Sequence, residues 1–131
     1  MSHPHRVLLV EDEAPARRGY AAYLGIQGYE VLEAATGDEA LITARAARPD
    51  VILLDLGLPD IDGWEVARRL KADDRTASIP IIALTGSDLP HERVSAMRAG
   101  CDRHIAKPCR PEAVLEAIRL CSEATHRQAE A

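Results

Sequence analysis

The sequence predicts a doubly wound α/β fold: a five-stranded parallel sheet in the order 2-1-3-4-5, with helices on both faces in a flavodoxin-like three-layer sandwich. Three observations carry the fold class, and the residues at the strand ends carry the strand order. Short aliphatic runs alternate with helix signals along the chain. Three of those runs are nearly continuous in Val, Ile and Leu, as strands buried on both faces are. Their starts fall at roughly even intervals, each the length of one βα unit, and five such units make a doubly wound domain.

The elements follow in order. The first strand is Arg6–Val10. A helix over Pro15–Ile26 comes next, weakened by Gly19 and Gly25 and closed by Gly28 as a C-terminal cap. The second strand is Tyr29–Ala34. Thr36 with Glu39 forms a capping box, and Ala40, Leu41, Ala44 and Ala47 then recur at helical spacing. The third strand is Val51–Leu54, after which Asp62 with Glu65 forms a second capping box ahead of Val66 and Leu70. The fourth strand is Ile79–Leu84. Pro90 opens the fourth helix, with Val94 and Met97 on its apolar side and Gly100 as its cap. The fifth strand is Arg103–Ala106, and Pro111 opens the fifth helix, carrying Val114, Leu115, Ile118 and Cys121. Ser122–Ala131 is polar and Ala-rich and reads as a fraying helix end plus a tail. The expected organisation is one domain over 1–121 with a tail over 122–131.

Composition agrees with one domain and excludes several functions. The chain has 131 residues, 47% hydrophobic and 28% charged, an ordinary globular balance. Aromatics are 3% with no Phe, so the core must be built of Leu, Ile, Val and Ala. A formal net charge of −5 argues against a nucleic-acid binder that works by neutralising phosphates. No apolar run approaches the ~20 residues of a membrane span, and the start at Met1 lacks the apolar stretch of a secretory signal. Three cysteines without a C-x-x-C do not make a disulfide framework. The expectation is a soluble, reduced, cytoplasmic protein.

In open α/β sheets ligands bind beyond the carboxyl ends of the strands, near the point where strand order reverses. Glu11 and Asp12 follow the first strand, Asp55 the third, Thr85 the fourth, and Lys107-Pro108 the fifth. The second ends at Glu33-Ala34-Ala35, with less obvious chemistry. This distribution suits the order 2-1-3-4-5, in which strands one, three, four and five lie closest to the switch point and their ends converge. Three carboxylates at close range repel one another, at about 4 kcal/mol per pair at ~4 Å and an effective dielectric of 20. A divalent cation removes that repulsion, and oxygen-only ligands favour Mg²⁺ over zinc. A carboxylate beside Mg²⁺ can attack a phosphoryl group, Lys107 can pair with a phosphoryl oxygen, Thr85 can donate to another, and Gly86 leaves space for the incoming group. An Asp after a buried strand is often only a turn or cap residue, so it is the combination that points to chemistry.

These residues resemble the receiver domain of two-component response regulators, over about Arg6–Cys121. The resemblance rests on Val7-Leu8-Leu9-Val10-Glu11-Asp12-Glu13, Val51-Ile52-Leu53-Leu54-Asp55-Leu56-Gly57-Leu58-Pro59-Asp60-Ile61-Asp62-Gly63, Ile81-Ile82-Ala83-Leu84-Thr85-Gly86 and Ala106-Lys107-Pro108. It implies that Asp55 is the phosphoacceptor and that Glu11, Asp12, Asp55 and the Gly57 carbonyl hold Mg²⁺. Thr85 is then the switch hydroxyl, Lys107 the contact to the phosphoryl group, and the Lys107-Pro108 bond cis. His104 stands where relatives carry a switch aromatic, and Cys109 where many carry another aromatic. The implied partners are a sensor histidine kinase or a histidine phosphotransfer protein, docking around Ala14, Pro15, Arg18, Pro108 and Cys109, and a downstream protein target. The implied output surface, and a candidate homodimer contact, is the fourth helix with the fifth strand and fifth helix. With no output domain in this stretch, output is expected to act through another molecule or a parent chain.

Other readings stand beside this one. A phosphorylation-independent interaction module could keep the fold, but the full set Glu11, Asp12, Asp55, Thr85 and Lys107 argues against it. A small Mg²⁺-dependent phosphohydrolase usually has a second acid two residues after its Asp nucleophile, where this chain has Gly57. Neither a P-loop nor G-x-G-x-x-G is present for nucleotide binding. Cys101, His104 and Cys109 fit no zinc spacing. Trp64, after the Asp62-Gly63 cap, is expected to cover the start of the third helix.

Overall fold

A computed structural model describes residues 5–56, 58, 60–86, 98–107 and 109–130, with side chains up to residue 121. Its elements run β1 (Arg6–Val10), α1 (Ala14–Ile26), β2 (Glu30–Ala34), α2 (Gly37–Ala47), β3 (Val51–Asp55), α3 (Gly63–Ala72), β4 (Ile81–Thr85), β5 (Arg103–Ala106) and α4 (Pro111–Glu130). The helix expected after Pro90, with Val94 and Met97, lies outside the described residues, so α4 is the fifth helix of the sequence reading. α4 continues through Ser122–Glu130, the stretch expected to fray.

All strand pairs are parallel and the order is β2-β1-β3-β4-β5, as the sequence predicts. Alternation on the strands explains the continuous aliphatic runs, because successive side chains point to opposite faces. Leu8, Val10, Ile52, Leu54, Ile81 and Ala83 face a core completed by α2 and α3. Val7, Leu9, Val51, Leu53, Ile82 and Leu84 face a second core completed by Leu24 of α1 and by Val114, Leu115 and Ile118 of α4. A buried sheet between two helical layers therefore needs apolar residues at nearly every position of β1, β3 and β4.

Several boundaries shift for local reasons. β4 begins at Ile81 rather than Ile79, because Ile79 N–H turns back to the Thr76 carbonyl and Pro80 has no N–H for the ladder. β3 and β4 extend one residue further, through Asp55 and Thr85, so the two polar residues are themselves in the ladder. β2 starts at Glu30, since Tyr29 N–H is taken by the Leu24 carbonyl. α1 keeps 13 residues despite its glycines, starting at Ala14 with no side-chain cap.

The first capping box forms with its return arm one residue early: Glu39 N–H donates to Thr36 Oγ1 at 3.1 Å, and Glu39 Oε2 accepts at 2.9 Å from the N–H of Ala35, the residue before the cap. The second does not close. Asp62 Oδ1 accepts from Trp64 N–H at 2.9 Å, but Glu65 turns outward to Arg68 and Arg69, both at 3.1 Å. Two guanidiniums at i+3 and i+4 outcompete one backbone donor for that carboxylate. Gly28 and Gly100 sit at φ of +99° and +97°, the left-handed conformation their capping role requires. Trp64 packs part-buried against the α2–α3 core, over the start of α3.

Candidate functional site

The site is built by strand ends. Glu11 and Asp12 leave β1, Asp55 closes β3, Thr85 closes β4, and Lys107 follows β5. Because β1, β3, β4 and β5 are consecutive in the sheet, all five residues lie along its carboxyl rim. Backbone bonds fix this rim: Glu11 N–H donates to the Ala34 carbonyl at 3.0 Å and Leu56 N–H to the Leu84 carbonyl at 3.1 Å.

Three carboxylates converge. Oxygens of Glu11, Asp12 and Asp55 lie within 4.8 Å of one another, and among the described residues this is the one group of His, Cys, Asp or Glu side chains placed to hold a metal ion. Glu11 is only 1% exposed and Asp55 is buried, whereas Asp12 is exposed. The Lys107 ammonium lies 3.1 Å from Glu11 Oε1 and 3.1 Å from Asp55 Oδ2. Burial, then the neighbouring Asp55, push the Glu11 carboxyl up to about 7 against the pull of Lys107. Burial alone lowers the Lys107 ammonium, but its two carboxylate partners win and raise it.

One atom shows what the cluster is short of. Glu11 Oε2 is buried and has no hydrogen-bond partner. A lysine neutralises one charge among three carboxylates, and an orphaned buried carboxylate oxygen is costly. An oxygen-only donor set with one exposed edge and an unsatisfied oxygen fits a hard divalent cation that keeps waters of its own. Gly57 and Pro108, the expected carbonyl ligand and cis-peptide residue, lie outside the described residues.

Thr85 is buried, and its Oγ1 lies 2.8 Å from Nε2 of His104, on the neighbouring strand. His104 in turn lines a surface cavity of about 360 Å³ between β5 and α4, with Arg103, Ile105, Ala113 and Glu116. Cys109 lies 3.4 Å by its sulfur from the Tyr20 hydroxyl, which joins the loop after β5 to α1. Of the residues expected to receive a kinase, Ala14, Pro15 and Arg18 occupy the first turns of α1, at the carboxyl rim. Cys101 is not at this rim; it is buried in the α2–α3 core, where burial pushes its thiol up to about 11. Cys101, His104 and Cys109 form no metal group among the described residues.

Two polar braces carry no periodic signal and were not anticipated from sequence. Arg17 donates to the Glu11 carbonyl and to Glu33. Asp60, in the loop after β3, accepts from the Gly37 and Asp38 N–H groups at 2.8 and 3.0 Å, capping α2 from 23 and 22 residues away.

A family model described as the response regulator receiver domain matches residues 7–119. The polar-differentiation response regulator DivK of Brucella anthropi is 35% identical over 116 residues, covering 88% of this chain and 94% of DivK. The phosphate regulon transcriptional regulatory protein PhoB of Pseudomonas aeruginosa is 40% identical over 113 residues, covering 86% of this chain and 49% of PhoB, so the chain spans about half of that relative. Among solved structures, the receiver domain of sensor histidine kinase PA1611 from Pseudomonas aeruginosa matches with a TM-score of 0.82 and 32% identity, covering 89% of this chain and 96% of that one. That structure carries a magnesium ion coordinated in its active-site cleft.

Proposed function

The chain belongs to the response regulator receiver domains, which signal by phosphorylation in two-component systems, and on that premise we propose that Asp55 is its phosphoacceptor. The observation that carries this is Asp55 itself: a buried carboxylate at the end of β3, 3.1 Å from the Lys107 ammonium and grouped with Glu11 and Asp12. An Asp55 oxygen attacks the phosphorus of a phosphohistidine, the P–N bond breaks, and the imidazole takes up a proton as it leaves. Glu11, Asp12, Asp55 and the Gly57 carbonyl hold Mg²⁺, and the orphaned Glu11 Oε2 supports that assignment. When bound, the ion neutralises charge on the transferring phosphoryl oxygens. Lys107 offers its ammonium to a phosphoryl oxygen, and Thr85 its hydroxyl to another.

The donor is a sensor histidine kinase or a histidine phosphotransfer protein, seated on the first turns of α1 and the loop at Cys109. Phosphorylation adds charge of about −1.5 to −2 and three acceptor oxygens. Thr85 and His104 respond as the switch pair and carry the change to the surface of the helix expected after Pro90, β5 and α4, where a downstream protein, or a second copy of the chain, reads it. The chain therefore works as a phosphoacceptor that catalyses only its own phosphorylation and dephosphorylation. The receiver unit spans 1–121, with 122–131 appended, and it acts in the cytoplasm; among the described residues no helix is long and apolar enough to cross a membrane.

Incubation with Mg²⁺ and acetyl phosphate, followed by intact mass, tests this. One phosphoryl adduct is expected on wild type, none with EDTA, and none on Asp55→Asn. An adduct that survives Asp55→Asn overturns the assignment.

A further inference from the structure

We infer that Arg17 is a positioning residue for the divalent cation: its guanidinium pins the backbone of Glu11 to the end of β2, and so fixes the pair Glu11–Asp12 in the geometry Mg²⁺ demands. This deepens the reading that those carboxylates hold Mg²⁺, and rests on it.

The bracing is on both sides of Glu11. Its N–H donates to the Ala34 carbonyl at 3.0 Å, and its carbonyl accepts from Arg17 Nη1 at 2.9 Å. Arg17 is itself held by Glu33, whose Oε1 accepts from Nε at 3.1 Å. Glu33 and Ala34 close β2, the one strand whose end brings no group of its own to the site. The Arg17 side chain is 17% exposed and its bond to the Glu11 carbonyl is part-buried, whereas its bond to Glu33 lies at the surface. With the N–H and the carbonyl of Glu11 both held, its side chain starts from a fixed point and the chain leaves toward Asp12 in a fixed direction.

Only arginine does this. Its planar fork donates Nε to one acceptor and Nη1 to another in a fixed geometry, whereas a lysine ammonium at the same charge offers a point. Partners one shell out from a metal that orient its ligands are commonly worth ten- to a hundredfold in affinity. The field of Arg17 works the other way: a fixed positive charge near the site repels a cation. Position and field therefore predict opposite results on substitution.

The test is calorimetric titration of Mg²⁺ and of Ca²⁺, separately, into wild type, Arg17→Lys and Arg17→Gln, well below each thermal midpoint. Mg²⁺ needs near-ideal octahedral geometry, while Ca²⁺ tolerates a loose one. Arg17→Lys is expected to weaken Mg²⁺ by about tenfold and Ca²⁺ by clearly less, and Arg17→Gln to weaken Mg²⁺ as well. An equal loss for both ions reports general loosening of the fold and overturns the proposal, as does an unchanged Mg²⁺ affinity in Arg17→Lys or a tighter one in Arg17→Gln. Failure of wild type to bind Mg²⁺ removes the site reading itself, a result distinct from these.

Discussion

The Thr85 hydroxyl lies 2.8 Å from Nε2 of His104, and so joins the last residue of β4 to the second residue of β5. One end of this bond is buried at the carboxyl rim. The other is a ring on the α2–α3 face of the sheet, because His104 pairs with Ala83, which faces that core, while Ile105 packs against the α1–α4 core. The bond thus ties the site to the edge strand β5.

That link predicts a measurable coupling. Thr85→Val keeps the volume of a buried residue and loses the bond; His104→Phe keeps a planar ring and loses it from the other side. Each is expected to cost about 1 kcal/mol in urea unfolding, the net worth of such a bond. The double variant should cost less than the sum of the two, with a coupling energy of about 0.5–1 kcal/mol. Strict additivity means the bond is not made in solution.

Lys107 predicts a cation-dependent stability. Its ammonium contacts Glu11 and Asp55 at 3.1 Å each, and removing it leaves both carboxylates without their common counter-charge. Lys107→Met is expected to lose about 2–4 kcal/mol in EDTA, and to recover more on adding Mg²⁺ than wild type gains. Thermal melts with and without the ion check this, and equal Mg²⁺ gains in the two proteins contradict it.

The two-faced sheet and its strand order were legible in the sequence; the braces around the site were not. Val7-Leu8-Leu9-Val10 and Val51-Ile52-Leu53-Leu54 announce a two-faced sheet because both of their faces are apolar, and that pattern survives without knowing any partner. The rim residues follow, since topology places whatever ends each strand. Arg17–Glu33 and Asp60 with the α2 N-terminus join residues far apart in the chain through one polar group each, and no periodicity encodes them. The Asp62–Glu65 box fails for a related reason: Arg68 and Arg69, three and four residues on, compete for the same carboxylate, and the spacing of the box does not weigh them against one backbone donor.

Glu11 predicts a pH slope of defined sign. Burial raises its carboxyl to about 7 in the fold, against an ordinary value of 4.5. The folded state then binds more protons than the unfolded one between those values, so this group's contribution is fully favourable below pH 4.5 and is lost as pH rises toward 7. In EDTA, wild type should lose stability from pH 5 to 8 relative to Glu11→Gln, which cannot titrate there. Mg²⁺ should stabilise wild type more at pH 8 than at pH 5.5, because the proton and the ion compete for one carboxylate. Parallel pH profiles for wild type and Glu11→Gln overturn this.

Two glycines at the rim predict opposite behaviour. A Cβ on Gly63 would come within 2.5 Å of the Leu56 Cα and 3.1 Å of the Asp55 carbonyl oxygen, so backbone beside Asp55 must move. Gly63→Ala is expected to destabilise by about 1–3 kcal/mol and to weaken Mg²⁺ binding as well, since the displaced backbone carries Asp55, proposed above as a ligand. A Cβ on Gly86 meets nothing within 4 Å, and its backbone needs no left-handed conformation. Gly86→Ala should leave stability unchanged or raise it by up to about 1 kcal/mol. It should nevertheless slow phosphorylation by acetyl phosphate, because the added methyl occupies open space next to Thr85, where the proposed reaction at Asp55 brings the phosphoryl group in. Equal phosphorylation rates for Gly86→Ala and wild type mean that the space at residue 86 serves no incoming group.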